Sequence, residues 1–424
     1  MCIFRTAVLS IVLLSGFCAA CDGNDKSDSR DRRAAVLANG NTKTQVIDFV
    51  DPTYRGRIRQ VYNPNGDEHN LYHYRTPFNS DNSSLLGIET PHGTKQYQVT
   101  LYDGDGRFLK KLFTVPEYDW RVVWDRKDPH IFYTWRKTAL YRYDVQWNKA
   151  ELLRSFEPLS LKPAGPSFNQ IGDRILVVTA DNVVHTFRLP DMDDERLCHI
   201  DMPEGYYAGW DKLRLIGYRD YFAVTFFERG PFPQGGKPKP PFTRIYDAAT
   251  GKVFHTLEGI SIGHGDFSPD GKLAYVKLNP RQGRAGRRRP RPGVQARVVN
   301  IDGRDDHAVY ELSGDALRYV RNYHITWPDN VNDWFAMSFF PQTGHLPAEY
   351  KPPLDELMQI RTDGTVKILG RTGTTCAKNF WAQPQQSPSV DGSRILFHTN
   401  GTCQVGKLGY ESSGTIDLCI LYLK

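Results

Sequence analysis

Beyond residue 20 the sequence contains no Cys-Xaa-Xaa-Cys pair and no Cys/His spacing of the kind that cages zinc, which argues against a structural zinc site. It has no Gly-Xaa-Ser-Xaa-Gly elbow, no phosphate-cradling glycine loop and no dinucleotide fingerprint. The hydrolase, nucleotide-triphosphate and nicotinamide chemistries that use those motifs therefore have no foothold. No amphipathic helical pattern of useful length appears. Charge of one sign is also scarce. The 54 Lys and Arg against 48 Asp and Glu leave a net charge of only +6, so the distribution of charge matters more than its sum.

Aromatics, by contrast, are abundant at 12% of the chain, with 22 Tyr, 22 Phe and 8 Trp, and flat rings favour pleated surfaces. The 36 Gly and 27 Pro fit many short strands joined by turns. At the N-terminus, Arg5 precedes an apolar run from Ala7 to Phe17 that is too short for a stable membrane span. Cys18-Ala19-Ala20-Cys21 and a polar stretch follow, so residues 1–20 read as a secretory signal peptide. The segment resembles a bacterial lipobox with Cys21 as the lipidated residue, although Cys18 stands where that motif usually has Leu; plain cleavage after Ala20 is the alternative. Asp22 resembles the signal that keeps some lipoproteins on the inner membrane. The expected location is the cell envelope, on the periplasmic side of the inner membrane or at the outer membrane, or the periplasm or exterior if no lipid is added. Residues 21–43 are polar and read as a flexible tether, leaving 44–424 as the folded part.

In an oxidising compartment a disulfide becomes possible, and Cys376 and Cys403, in loop-like sequence flanking one pair of strands, form the preferred pair. Cys419 lies in the apolar run Ile416 to Leu423 and reads as a buried thiol.

Repeats decide the fold. The clearest unit runs from His264 through Phe267-Ser268-Pro269-Asp270-Gly271 to Val276: a short strand, a turn, then an apolar strand. Drifted copies occur at Pro77–Leu86, Val123–Tyr133, Ser167–Val177, Leu215–Val224, Thr326–Ala336 and Ser387–Phe397. Third strands follow, such as Leu140–Val145, Val183–Leu189, Phe242–Tyr246, Ala296–Ile301 and Leu357–Arg361. The expectation is an all-β, seven-bladed propeller of four-stranded blades, with Gln45–Val50 supplying a missing outer strand to the last blade. The Ser-Pro-Asp-Gly-Lys-Leu-Ala-Tyr segment resembles repeats of the Tol-system propeller, a resemblance that speaks to fold and little to function.

The inner strands should start at the face that carries a ligand. Counting back from the repeated aromatic, that mouth holds Arg75, Arg121, His264, His324 and Gln385, with His73 and Gln383 two residues further out. Convergent polar residues at a concave mouth are the first place to look for a ligand. Loops on the same face include His92 and a run of arginines, Arg287, Arg288 and Arg289 among them, that favours an acidic partner. Nucleic acid suits an exported protein poorly; acidic polysaccharide suits it better.

The His73 to Leu86 unit, the Gly263-His264 unit and Gln383-Pro384-Gln385 together resemble oligogalacturonate lyases, seven-bladed propellers that cleave uronates by β-elimination with a divalent metal. The resemblance implies His264 as catalytic base and His324 as a metal ligand, for Mn or Ca. It places Gln383 and Gln385 where that family has a His-Pro-His ligand pair, so two imidazoles are replaced by amides. Ulvan lyases are a second resemblance, with His73 and His92 as a catalytic pair. In either case a base must take the proton on C5 while Arg75, Arg121 or a metal meets the carboxylate. The expectation is a monomeric lyase-like propeller acting on an acidic oligo- or polysaccharide. The competing reading is a lipid-anchored propeller that binds a glycan or protein without chemistry.

Overall fold

The computed structural model describes residues 44–73, 75–115, 122–157, 159–162, 167–169, 172–210, 213–217, 220–230, 239–278, 293–312, 317, 320–341, 353–374, 382–400 and 415–423. They form seven sheets, which follow one another along the chain as the blades of a propeller. Among these residues no α-helix is present.

Most inner strands are short, that of blade 6, Val320–Thr326, being the exception, and the second strand is the most apolar. Blade 3 is typical: Ser167–Phe168, Arg174–Val178, Val183–Arg188 and Asp193–His199 pair in sequence order. Blade 5 repeats the plan with Asp266–Phe267, Lys272–Leu278, Val294–Asn300 and His307–Leu312. The turn between the first two strands has a local cause. The Ser268 hydroxyl donates to Asp270 Oδ1 at 2.5 Å and accepts from the Lys272 amide at 2.7 Å, while Gly271 takes the left-handed φ of 93°. Ser389, Asp391 and Gly392 build the same turn in blade 7.

Side chains alternate along each second strand, and both faces are buried between neighbouring blades. Ile395 and Phe397 pack towards blade 6, while Leu396 between them packs towards blade 1. Ile175 and Val177 likewise face blade 2, and Leu176 and Val178 face blade 4. This is why the second strands read as continuous apolar runs instead of a period of two. Seven apolar clusters result, one at each seam between adjacent blades.

The ring closes through N-terminal sequence, with one correction to the expected strand. Arg57–Tyr62 pairs directly with Asp417–Tyr422 and completes blade 7; Gln45–Val50 adds a fifth strand outside it. The reason is apolar content. Ile58 and Val61 are fully buried in the two seams beside blade 7, whereas Gln45–Val50 is partly exposed throughout. Arg59 holds the outermost strand with a two-pronged contact to Asp48, 2.8 Å at each nitrogen. Cys419 is a fully buried thiol, as is Cys198 nearly so. Cys21, Cys376 and Cys403 lie outside the described residues, as do Arg121 and the arginine run with Arg287, Arg288 and Arg289.

Candidate active site on the propeller axis

Three blades each deliver one imidazole to the axis. In blade 5, Gly263 at φ 54° turns the chain inward just before His264, and a Cβ there would lie 2.9 Å from the Tyr323 hydroxyl, so only glycine fits without displacement. In blade 6, His324 sits within the regular strand Val320–Thr326 and is fully buried. Blade 1 reaches the axis differently. Its inner strand Gly66–His69 leaves the ladder, and pairing resumes only at the Phe78–Leu85 bridge. Between them Tyr72 adopts φ 95°, a conformation that costs a non-glycine residue about 1–3 kcal/mol. The excursion is held from outside: Ser387 Oγ donates to Tyr72 O at 3.2 Å, and Thr326 Oγ1 donates to His73 O at 2.7 Å.

The result is a compact cluster. The His73 and His324 rings stack with centroids 4.1 Å apart. His264 lies 5.1 Å from His324 and 5.5 Å from His73. His73, expected two residues outside the ring of His264 and His324, lies level with them because of the blade 1 excursion. Arg75, expected level with those histidines, is instead in the layer beyond.

His264 differs from its neighbours in two ways. It is only half-buried, whereas His73 and His324 are fully buried. Its Nδ1 lies 3.0 Å from the Tyr323 carbonyl oxygen, which can only accept, so Nδ1 carries the hydrogen and Nε2 carries the lone pair. That is the tautomer a general base needs.

Two residues further along the same strands lies a cavity of about 30 Å³. Its wall includes Arg75, Arg126, Arg214, Asp266, Thr326 and Asp329. Arg126 and the Thr76 hydroxyl both engage Asp329 across the axis. Asp266 accepts the Trp327 amide at 3.1 Å, and burial pushes its carboxyl up to about 7. Arg126, Arg214, Asp266 and Asp329 escaped the sequence reading. Asp266 follows His264 by two, the period that keeps side chains on one face of a strand, and that spacing could have found it.

The remaining candidates separate. Gln385 is fully buried at the axis with φ 42°, and its carbonyl accepts the Asn70 side-chain amide at 2.7 Å. Gln383 is half-buried. His92 is exposed, lies 3.9 Å from Asp67, and is not brought into the imidazole cluster. His398 is buried and accepts the Asn70 amide at 3.3 Å, a structural role.

His73 and His324 cannot share one divalent ion as ligands. An ion bound about 2 Å from a ring nitrogen lies in the plane of that ring. Two rings stacked at 4.1 Å and only 25° from parallel have no common in-plane point at that distance. The amides of Gln383 and Gln385 are poorer donors than the imidazoles they would replace. Among the described residues no group of three His, Cys, Asp or Glu is arranged to hold a metal.

Comparison with solved structures places the chain among propellers of known shape. It superposes on an oligogalacturonate lyase in complex with manganese with a TM-score of 0.59 and 12% identity, covering 90% of this chain and 96% of that one. An oligogalacturonate lyase from Vibrio parahaemolyticus gives a TM-score of 0.60 at 13% identity, covering 90% of this chain and 99% of that one. The chain is thus a seven-bladed propeller with the shape of those enzymes. No sequence-family model matches it, and no curated protein does.

Proposed function

We propose that this chain is an oligogalacturonate lyase-like enzyme that cleaves an acidic, uronate-containing oligosaccharide by β-elimination at the propeller axis. The observation that supports this most is His264: partly buried beside His73 and His324, with its Nδ1 directed at the Tyr323 carbonyl so that Nε2 can act as base. Nε2 takes the C5 proton of the uronate. The developing negative charge on the adjacent carboxylate is met by guanidinium from the Arg75 layer; the C5–H electrons form the C4–C5 double bond, the C4–O bond breaks, and the leaving oxygen takes a proton from water to become a hydroxyl. His73 and His324 act as the packed floor that fixes the His264 ring.

The test is an ultraviolet absorbance assay for the conjugated unsaturated uronate over a panel of polygalacturonate, alginate and ulvan. Absorbance growing on one polymer and lost in His264→Ala supports the lyase. Saturable binding to such a polymer with no absorbance change supports the second reading, a binding propeller without chemistry. The loss of both imidazoles at Gln383 and Gln385 favours that second reading.

Export with a lipid on Cys21 belongs to the same proposal, since an acidic polysaccharide is met outside the cytoplasm. Precursor accumulating under globomycin, and release of a Cys21→Ala protein from the membrane fraction, are the expected results.

A further inference from the structure

An exposed aromatic surface stands beside the axial mouth, at the seam between blades 4 and 5. We propose that Tyr207 and Phe227 form a stacking subsite there for one pyranose ring of an acidic oligosaccharide. The inference rests on the proposed function for the class of sugar, and not for any step of its cleavage.

Blade 4 builds this surface by splitting its inner strand. Tyr206–Ala208 pairs with the last residues of the second strand, Tyr221–Glu228, and Arg214–Ile216 pairs with its first residues. The register sets Tyr207 opposite Phe227, and residues directly across an antiparallel pair share a face. Their rings stack with centroids 5.6 Å apart and planes 29° from parallel. Alternation decides which face this is. Phe222, Val224 and Phe226 pack in the seam with blade 3 and Ala223 in the seam with blade 5, so Phe227 and Tyr207 face blade 5. Gly209 makes room for the stack, since a Cβ there would lie 2.7 Å from the Phe227 ring. Phe227 covers one side of Tyr207, yet Tyr207 remains 42% exposed.

A short route ties this surface to His264. The Gly209 amide donates to Thr225 O at 2.8 Å, and the Ile262 amide donates to Thr225 Oγ1 at 3.4 Å. Phe227 lies two residues beyond Thr225, roughly 7 Å along the strand. His264 lies two residues beyond Ile262, at most about 7 Å along the chain. An oligosaccharide of a few rings spans that gap. A pyranose suits the platform because its C–H bonds present a positive edge to the negative face of an aromatic ring. Docking of a folded protein calls for a wide apolar patch, whereas this surface offers one exposed ring and its stacked partner; Tyr206 turns away into the seam with blade 3. The nearby charge suits an acidic sugar. Arg229, two residues beyond Phe227, is exposed, and its amide donates to Gly205 O at 2.8 Å. A guanidinium presents a fork of donors to a carboxylate. Glu228 lies on the opposite period, and Lys239 offsets it with its ammonium at 3.9 Å and its amide at 2.5 Å.

The experiment uses the whole chain and hexasaccharides cut from polygalacturonate, alginate and ulvan, with cellohexaose as the neutral control. Affinity is read by calorimetry, or as KM where unsaturated product absorbs. At least one uronate hexasaccharide should bind. Tyr207→Ala and, separately, Phe227→Ala should each weaken it about three- to tenfold, the worth of an aromatic stack. Tyr207→Phe keeps the ring and should retain the affinity, and thermal melts check that every variant folds. Arg229→Gln should make binding less sensitive to added salt, and an unchanged salt response would remove Arg229 from the site. Native affinity in a folded Tyr207→Ala protein would overturn the subsite even where the lyase assay succeeds. Binding that depends on Tyr207 but yields no unsaturated product would uphold the subsite and remove the chemistry. Cellohexaose bound as tightly as the uronates, or no hexasaccharide bound at all, would refute the acidic-sugar class on which the inference rests.

Discussion

His73 and His324 stack face to face with ring centroids 4.1 Å apart, although one comes from the first blade and the other from the sixth. Blade 7, whose inner strand is Ser387–Pro388, stands between them in the ring. Ser387 Oγ lies 3.2 Å from Tyr72 O and 3.3 Å from His73 O, and its one hydrogen is shared between them, so blade 7 supports the excursion that carries blade 1 across to blade 6. Thr326 Oγ1 bonds both His73 O and Gln386 O and ties the three blades at one point.

The roles inside this cluster are separable by kinetics. His264→Ala should lower kcat by a general-base factor of roughly 10² to 10⁴ with KM little changed. His324→Ala should raise KM as well, because its removal lets the floor of the site collapse. A His264→Ala enzyme with native kcat, followed by the absorbance of unsaturated product, would remove His264 from the chemistry.

Much of this architecture was readable beforehand. The Ser-Pro-Asp-Gly turns and the apolar second strands declare themselves because both depend on local sequence, and the observed Val183–Arg188, Phe242–Asp247 and Glu356–Arg361 fall within a residue or two of expectation. The ring closure was legible only in part, because the choice between Gln45–Val50 and Arg57–Tyr62 turns on which strand buries apolar side chains against two neighbours. The level of His73 was not legible at all. Counting from the repeated aromatic assumes a regular strand, and blade 1 breaks that count at Tyr72. The cavity residues Arg126 and Asp329 lie in turns, outside any strand period.

Tyr72 offers a test of stored strain. Its ring lies 4.5 Å from the His73 ring, so any small substitution loses that contact. Tyr72→Gly and Tyr72→Ala lose it equally, but alanine keeps the Cβ that is unfavourable at φ 95°. The glycine variant should therefore be the more stable of the two by about 1 kcal/mol, despite its greater unfolded-state entropy. Urea unfolding of both proteins measures the difference, and an alanine variant as stable as the glycine one would place the native chain in an ordinary conformation.

Ring closure predicts a contrast between two neighbouring strands. Ile58→Ala removes a fully buried side chain from the seam between blades 6 and 7 and should cost about 2–5 kcal/mol. Val50→Ala, at a position 49% exposed in the outermost strand, should stay within about 0.5 kcal/mol. Equal costs in chemical denaturation would mean that both strands close the ring.

The last prediction concerns pH and the seam between blades 7 and 1. Glu68 is fully buried there; its amide donates to Ile416 O, and its carboxyl meets the Tyr102 hydroxyl at 2.5 Å and the Asn63 amide at 2.7 Å. Burial, aided by the nearby carboxylates Glu89 and Asp417, pushes the Glu68 carboxyl up to about 8 from an ordinary 4.5. Between those two values the folded chain keeps a proton that the unfolded chain has released. The folded state binds more protons, so this group's contribution to stability falls as pH rises from about 4.5 and levels off above about 8. Asp355, also raised to about 8 by burial, acts in the same direction. His69 acts oppositely: burial lowers it to about 4, so its contribution improves as pH rises from about 4 to 6.5 and is constant above. Above pH 6.5 the His69 gain is complete, and His307, raised by its contacts with the Thr362 and Asp305 carbonyls, declines along with the carboxyls, so stability should fall towards pH 8. Glu68→Gln keeps a neutral side chain of the same shape beside Tyr102 and Asn63. It should flatten that decline, leaving the variant more stable than the native protein at pH 8 by more than about 1 kcal/mol relative to their difference at pH 5. Parallel stability curves for the two proteins across this range, measured by urea unfolding at each pH, would show that Glu68 is ionised in the folded state.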